Sequence, residues 1–374
     1  VLDHWTPGEE IVMYANENYW RADGDPIWEG GPSGVASIKN VIWQIIPEWG
    51  TRLAIFEAGD ADVVGVPPAF YSQVEDNYGD VTYPDGSVEN MGGWMQIYTE
   101  NVTPAMTPAQ FNWLINSEGG NNFQGSGKLD GNGIPDDFFQ DINIRRAFSY
   151  CFDYDTMINE VLDGQGVQAQ GPIIAGMLGY RDDGFVFSYD PDKCIEEFQA
   201  SETGVWDTGF YMQLGYNTGN DTRRLAGEIL KAGIEAVNPG FQIQVVGMPW
   251  PVLLSTRRAG KLPIYVGGWL EDFHDPHNWV HPFLHSTGAY GAVANIQEPA
   301  RSEFDSMIEE AASLTNVDDR RPIYEAIQLK AQTDAAMIWL YQPLSRIHLS
   351  PFIEGFYFNA AYSAASTSYI YALA

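Results

Sequence analysis

Apolar and polar residues alternate through HWTPGEEIVMYANENYW, residues 4–20, which predicts two strands joined at the Pro7-Gly8 turn and a second turn at Asn16 to Asn18. The period then changes. From about Glu48 to Ala58 the spacing is helical, Gly59 offers a left-handed residue to close the helix, and ADVVGV resumes as a strand. GSVENMGGWMQIYTE, residues 86–100, reads as a strand crossing into a new region. Residues 101–141, rich in Asn, Gly, Pro and Asp, are expected to form an insertion or long loop.

Helical periodicity returns from Ile144 to Leu162 and from Arg223 to Ala236, where Leu225, Ile229, Ala232 and Ala236 recur on one face. Phe241, Ile243 and Val245 alternate with Gln242 and Gln244 as a half-buried strand. LPIYVGGW, residues 262–269, is a wholly apolar strand ending on a Gly-Gly pair. Phe304, Met307, Ile308, Ala311 and Ala312 predict a further helix, and another starts at Pro322 and runs through Thr333. Strands interleaved with helices make the chain mixed α/β. In open α/β sheets ligands settle just beyond the strand ends, which directs attention to Gly267–Asp275.

Composition narrows the partners. At 374 residues, 45% hydrophobic and 14% aromatic, the chain can bury two or three cores. Fifty acidic against 19 basic residues give a formal charge of −31, which repels phosphate backbones and makes nucleic acid a poor partner. No stretch approaches the roughly 18 apolar residues of a membrane span, and VLDHWTPGEE lacks the pattern of a signal peptide. Because Ile11 to Tyr14 already reads as a strand, the chain is expected to begin inside a domain. Cys151 and Cys194 have no metal-binding spacing; they form one bridge or stay as two buried thiols.

Standard catalytic signatures are absent: there is no GxSxG, no HExxH and no GxGxxG at a strand–helix junction. The densest chemistry lies in VGGWLEDFHDPHNWVHPFLHS, residues 266–286, and it admits three interpretations. A recognition loop would use Trp269 as an apolar wall and Asp272 as an anion for a ligand cation. A metal site would use His277, His281 and His285 on one helical face, which Pro282 interrupts. In the third, Asp-Pro caps a helix, the Trp residues fill core and the His residues are bystanders. A second candidate is KLDGNGIPDDFFQD, residues 128–141, where Asp130, Asn132 and Asp136 alternate around Gly133 as oxygen ligands of a structural calcium would. Lys128 in the first ligand position and the lack of a closing Glu favour a turn-rich loop instead.

Several segments together resemble the extracytoplasmic solute-binding proteins of the oligopeptide, dipeptide and nickel ABC importers. WTPGEEIVMYANENYW, FEAGDADVVGV, INIRRAFSYCFDYDTMINEVLDG, SYDPDKCIEEF, YNTGNDTRRLAGEI, TRRAGKLPIYVGGWLEDFHDPHN, FDSMIEEA and PFIEGF follow one another in family order. The resemblance implies a type II periplasmic-binding-protein-like α/β fold of two hinged lobes with mixed sheets, lacking the family's N-terminal part. Residues 1–95 and 345–374 would form an incomplete first lobe and 96–344 the second. It also implies a receptor without catalysis or cofactor, periplasmic or extracellular, whose partners are a small-molecule or peptide ligand, a membrane permease and its own N-terminal part. Asp272 would hold the ligand's ammonium group, Trp250 and Trp269 would wall the pocket, and Arg257 would meet a ligand carboxylate, with Trp94 and Tyr341 bordering the cleft. Some relatives bind oligosaccharides, which stack on aromatic rings without an ion pair, so a sugar receptor is the alternative. A metal-dependent hydrolase built on the 272–285 Asp/His cluster is the third possibility.

Overall fold

The computed structural model describes residues 1–21, 23–26, 33–46, 48–74, 78–90, 92–356 and 372–373. It divides into two compact units, Val1–Thr103 with Leu344–Ala374, and Pro104–Pro343. Of the segment 345–374 expected in the first lobe, residues 357–371 and 374 lie outside the described residues.

In the first unit, β1 (Leu2–Thr6), β2 (Glu10–Tyr14) and β3 (Asn40–Gln44) form an antiparallel sheet. The expected Pro7-Gly8 turn joins β1 to β2, with Gly8 at φ 81°. Pairing aligns Leu2 with Met13 and Val41, and Trp5 with Ile11 and Trp43, so one side of this sheet is wholly apolar. Among the described residues it is left largely open, with Trp5 62% and Trp43 51% exposed. The unit's core lies elsewhere. Helix α1 (Trp49–Glu57) is followed by β4 (Val63–Val64), β5 (Tyr78–Thr82), β6 (Val88–Asn90) and β7 (Met95–Val102). Phe56, Val74, Met95 and Ile97 pack together among them.

The second unit contains β8 (Ala105–Phe111), α2 (Ile142–Tyr150), α3 (Tyr154–Thr156), β9 (Gly166–Gln168), α4 (Pro191–Ala200), α5 (Val205–Thr208), β10 (Phe210–Asn217), α6 (Asp221–Val237) and β11 (Phe241–Met248). It continues with α7 (Trp250–Arg258), β12 (Ile264–Val266), β13 (Trp269–Leu270), α8 (His277–Leu284), α9 (Gly291–Ala294), α10 (Ala300–Ser313), α11 (Val317–Thr333) and the first half of β14 (Ile338–Leu349). Its strands run in the order β11-β10-β12-β8-β14. β10 pairs in parallel with β11 and β12, so α6 must cross between β10 and β11; it lays Ala226, Leu230 and Ile234 against them.

Four expectations need correcting. Residues 105–111 are not loop but a central strand. Pro108 disguises it, because proline cannot donate to a ladder, and β14 bulges opposite between Trp339 and Tyr341. The helix expected over 144–162 stops at Tyr150, because Asp153 caps a new turn by accepting from Thr156 N at 3.0 Å and Thr156 Oγ1 at 2.9 Å. Residues 262–269 are not one strand, since the Gly267-Gly268 pair separates β12 from β13, both paired with β8. Pro322 lies inside α11, whose start is capped by the Asn316 side chain accepting from Asp318 N.

Two features lock the second unit. Cys151 and Cys194 are joined in a disulfide linking the end of α2 to α4. Arg145, fully buried, lies 3.4 Å over the Trp113 ring and donates to the carbonyls of Phe139, Gln140, Asp334 and Ala335 at 2.6–3.2 Å. Burial lowers its pKa to about 9. In the same core Phe111, Phe139, Phe148 and Phe210 pack ring against ring. The division between the units falls within β14, at Pro343/Leu344, and at Thr103/Pro104, eight residues beyond the expected 95/96, because β7 continues to Val102.

Candidate functional site

The parallel strands β10 and β11 end together, Asn217 opposite Met248, and β12 ends at Val266. Beyond these ends two guanidinium groups gather. Arg223, in the first turn of α6, donates to Asn217 Oδ1 at 2.8 Å and presses against Gly268, where any Cβ would collide with it. Arg257, in the last turn of α7 and 8% exposed, lies 4.6 Å from the Tyr290 ring and donates to the Tyr265 hydroxyl at 3.1 Å. The Tyr265 hydroxyl in turn donates to Gln110 Oε1. Burial drives the Tyr265 hydroxyl far above its ordinary pKa. Burial pulls Arg257 down, but the Tyr265 and Tyr290 hydroxyls more than restore it, and the net direction is upward. Among the described residues neither arginine pairs with a carboxylate, which is notable in so acidic a chain.

The recognition loop follows. Gly268 is pinned by the Tyr290 hydroxyl, which donates to its carbonyl at 2.5 Å and accepts from its N–H at 3.2 Å. Trp269 packs edge-on to Tyr290 at 6.1 Å and is half-buried. Asn278, in the first turn of α8, accepts from the Trp269 indole N–H at 3.3 Å and from the Asp272 backbone N–H at 2.8 Å. Its Nδ2 points to Asp272 Oδ2 at 3.5 Å. The Asp272 side chain is otherwise exposed. Its neighbour Glu271 faces inward, 2% exposed, and accepts from Trp279 Nε1 at 3.2 Å, with His274 Nδ1 at 3.0 Å.

Asp275 does cap α8, accepting from His277 N at 2.9 Å, and also receives both arms of Arg320 at 2.8 and 2.9 Å. Burial pushes its carboxyl up, but Arg320 and the His277 amide hold it below the usual value. His277, His281 and His285 share a face, with ring centroids 5.1 and 4.5 Å apart. They stack rather than converge: among the described residues no three His, Cys, Asp or Glu side chains form a metal-holding group. In the 128–141 loop, Asp130 accepts from Ser126 Oγ and Asn132 N, while Asp136 accepts from Ser117 Oγ and Gln124 Nε2. The Asp130 bonds close a local turn, and the Asp136 bonds tie the loop to Ser117 and Gln124.

Of the other expected residues, Tyr341 is buried beside Thr107 and feels the charge of Arg223. Trp250 is 47% exposed at the start of α7, apart from the ring contacts of the cluster. Trp94 belongs to the first unit and packs on Phe56 at 5.1 Å. Sequence reasoning did not find Arg223, Tyr265, Tyr290 or Asn278. The signal for Arg223 was its place just past a strand end and three residues after the capping Asn220; Tyr290, in a small-residue stretch, carried none.

Aromatic rings, a carboxylate and two guanidinium groups without carboxylate partners among the described residues thus lie beyond the strand ends of an α/β sheet, where such folds place ligands. The chain belongs to the bacterial extracellular solute-binding proteins, family 5, whose middle-region model matches residues 1–291. It is 23% identical over 350 residues to heme-binding protein A of Haemophilus influenzae, covering 93% of this chain and 54% of that protein. Its fold is similar to the oligopeptide-binding protein AppA of Bacillus subtilis in complex with a nonapeptide, with TM-score 0.71, 18% identity, and coverage of 100% of this chain and 66% of that one. The substrate-binding domain of an oligopeptide ABC transporter of Bacillus anthracis gives TM-score 0.74, 16% identity, and coverage of 100% and 64%. The chain therefore spans a little over half the length of the heme-binding relative and under two thirds or about two thirds of the two solved chains. These likenesses bear out the α/β fold of the type II periplasmic-binding kind.

Proposed function

We propose that the chain is the receptor part of an ABC importer, capturing an oligopeptide and delivering it to a membrane permease, and that it binds its ligand without converting it. Family membership and the peptide-binding proteins among its structural relatives support this. The observation that carries it is the loop at the strand ends, where an exposed Asp272 carboxylate and the Trp269 ring are held by one buried side chain. Asp272 would receive the peptide's ammonium group, a charge-assisted bond that strengthens as water is excluded. Arg223 and Arg257, lacking carboxylate partners, would receive an acidic group or C-terminus. A site outside the cytoplasm is supported by the family and by the Cys151–Cys194 disulfide; among the described residues no helix is long and apolar enough to cross a membrane.

The test is calorimetry with trialanine and the variant Asp272→Asn. The expected outcome is a loss of affinity of at least about tenfold, equivalent to 1.4 kcal/mol, with an unchanged circular-dichroism spectrum. Unchanged affinity would sink the assignment. A melting temperature raised by cello-oligosaccharide and not by trialanine would favour the sugar-binding alternative.

A further inference from the structure

We propose that Asn278 is the positioning residue of this loop, setting the Trp269 ring and the Asp272 carboxylate at a fixed mutual angle; the proposal rests on Asp272 as the receiver of the ligand's ammonium group. Asn278 is 95% buried, and among the described residues its carboxamide serves no other partner. Oδ1 accepts two bonds, from the indole of Trp269 and the backbone of Asp272, which lie three residues apart on the loop. Nδ2 faces the Asp272 carboxylate. One planar group thus ties the apolar wall and the anion together.

Its own placement is rigid. α8 is anchored at its start by the Asp275–Arg320 fork and beside Asn278 by Trp279 donating to the inward-facing Glu271. Glu271 N donates to Pro104 O at 3.1 Å, so the loop is held on both sides of Asp272. The Nδ2 contact, at 3.5 Å, is long, which steers the carboxylate while leaving its lone pairs to a ligand. Serine would be too short to span both partners. A carboxylate would keep the two accepted bonds but set a like charge beside Asp272.

That last property separates positioning from mere packing. In Asn278→Asp two neighbouring carboxylates resist joint ionisation. The experiment uses the whole chain, with trialanine and N-acetyl-trialanine as probes. Carboxylate ¹³C and amide ¹⁵N resonances are followed in the native chain, Asn278→Ala and Asn278→Asp. In Asn278→Ala the Trp269 indole and Asp272 amide signals should move and trialanine affinity should fall about tenfold. In Asn278→Asp both signals should return towards native positions, while the loss of trialanine binding in acid should set in at higher pH than in the native chain. Affinity within twofold of native and unmoved signals in Asn278→Ala would overturn the proposal. So would an Asn278→Asp chain whose pH profile matches the native one. If the native chain binds both peptides equally while Asn278→Ala still displaces the two signals, ammonium capture by Asp272 fails and the clamp does not.

Discussion

The two units solve the same problem, burying enough apolar surface to hold an α/β fold, by opposite means. The second combines a phenylalanine-rich core, a buried cation over the Trp113 ring and a disulfide. The first gathers a small core around Phe56 and Ile97 and leaves the apolar side of β1–β3 in solvent. Every residue of the loop at Trp269–Asp272 stands on the second unit, so the groups that must keep a fixed geometry stand on the stiffer scaffold.

This contrast can be broken from the second unit first. Arg145→Met should cost about 5 kcal/mol in urea unfolding, because four backbone carbonyls lose a buried charged donor at once. Removing the disulfide with Cys151→Ala and Cys194→Ala should cost about 4 kcal/mol, the loop entropy of a crosslink spanning 43 residues. A loss well below 1 kcal/mol in either would remove the case for a locked unit.

The first unit carries its own weak point in His348, fully buried, whose pKa burial lowers to about 3. Its folded value lies below the unfolded value of about 6.5, so the unfolded chain binds the extra proton first. Stability should therefore be complete above pH 6.5 and fall by about 4 kcal/mol as pH drops to 3. His348→Leu should flatten that acid limb in a pH series of thermal melts. The smallest effect is expected at the uncovered sheet. Trp5→Lys and Trp43→Lys should change stability by no more than about 0.5 kcal/mol, since neither ring is buried. A large loss there would mean that the sheet is covered in solution.

Legibility followed the same divide between pattern and placement. α6 and β11 could be read because a helical stripe and two-residue alternation occur in turn, each matching its buried face. β8 could not, since Pro108 and an Asn- and Gly-rich setting hide a central strand whose partners lie over 150 residues downstream. At the site, loop chemistry marked Trp269 and Asp272, and the resemblance gave them roles. Arg223 looked like any solvated helix cation until Gly268 was seen against it. Asn278 matters only through two bonds to a loop that sequence spacing cannot orient.

The bare side of β1–β3 has a colloidal consequence. A particle of charge −31 keeps its neighbours away, and that barrier is what restrains an adhesive patch built from Leu2, Trp5, Ile11, Met13, Val41 and Trp43. Salt shortens the reach of the repulsion to about 10 Å at 0.1 M and leaves the adhesion untouched. Ionic strength therefore pulls in two directions: it eases the chain's self-repulsion within each molecule while lowering the threshold at which molecules stick to one another.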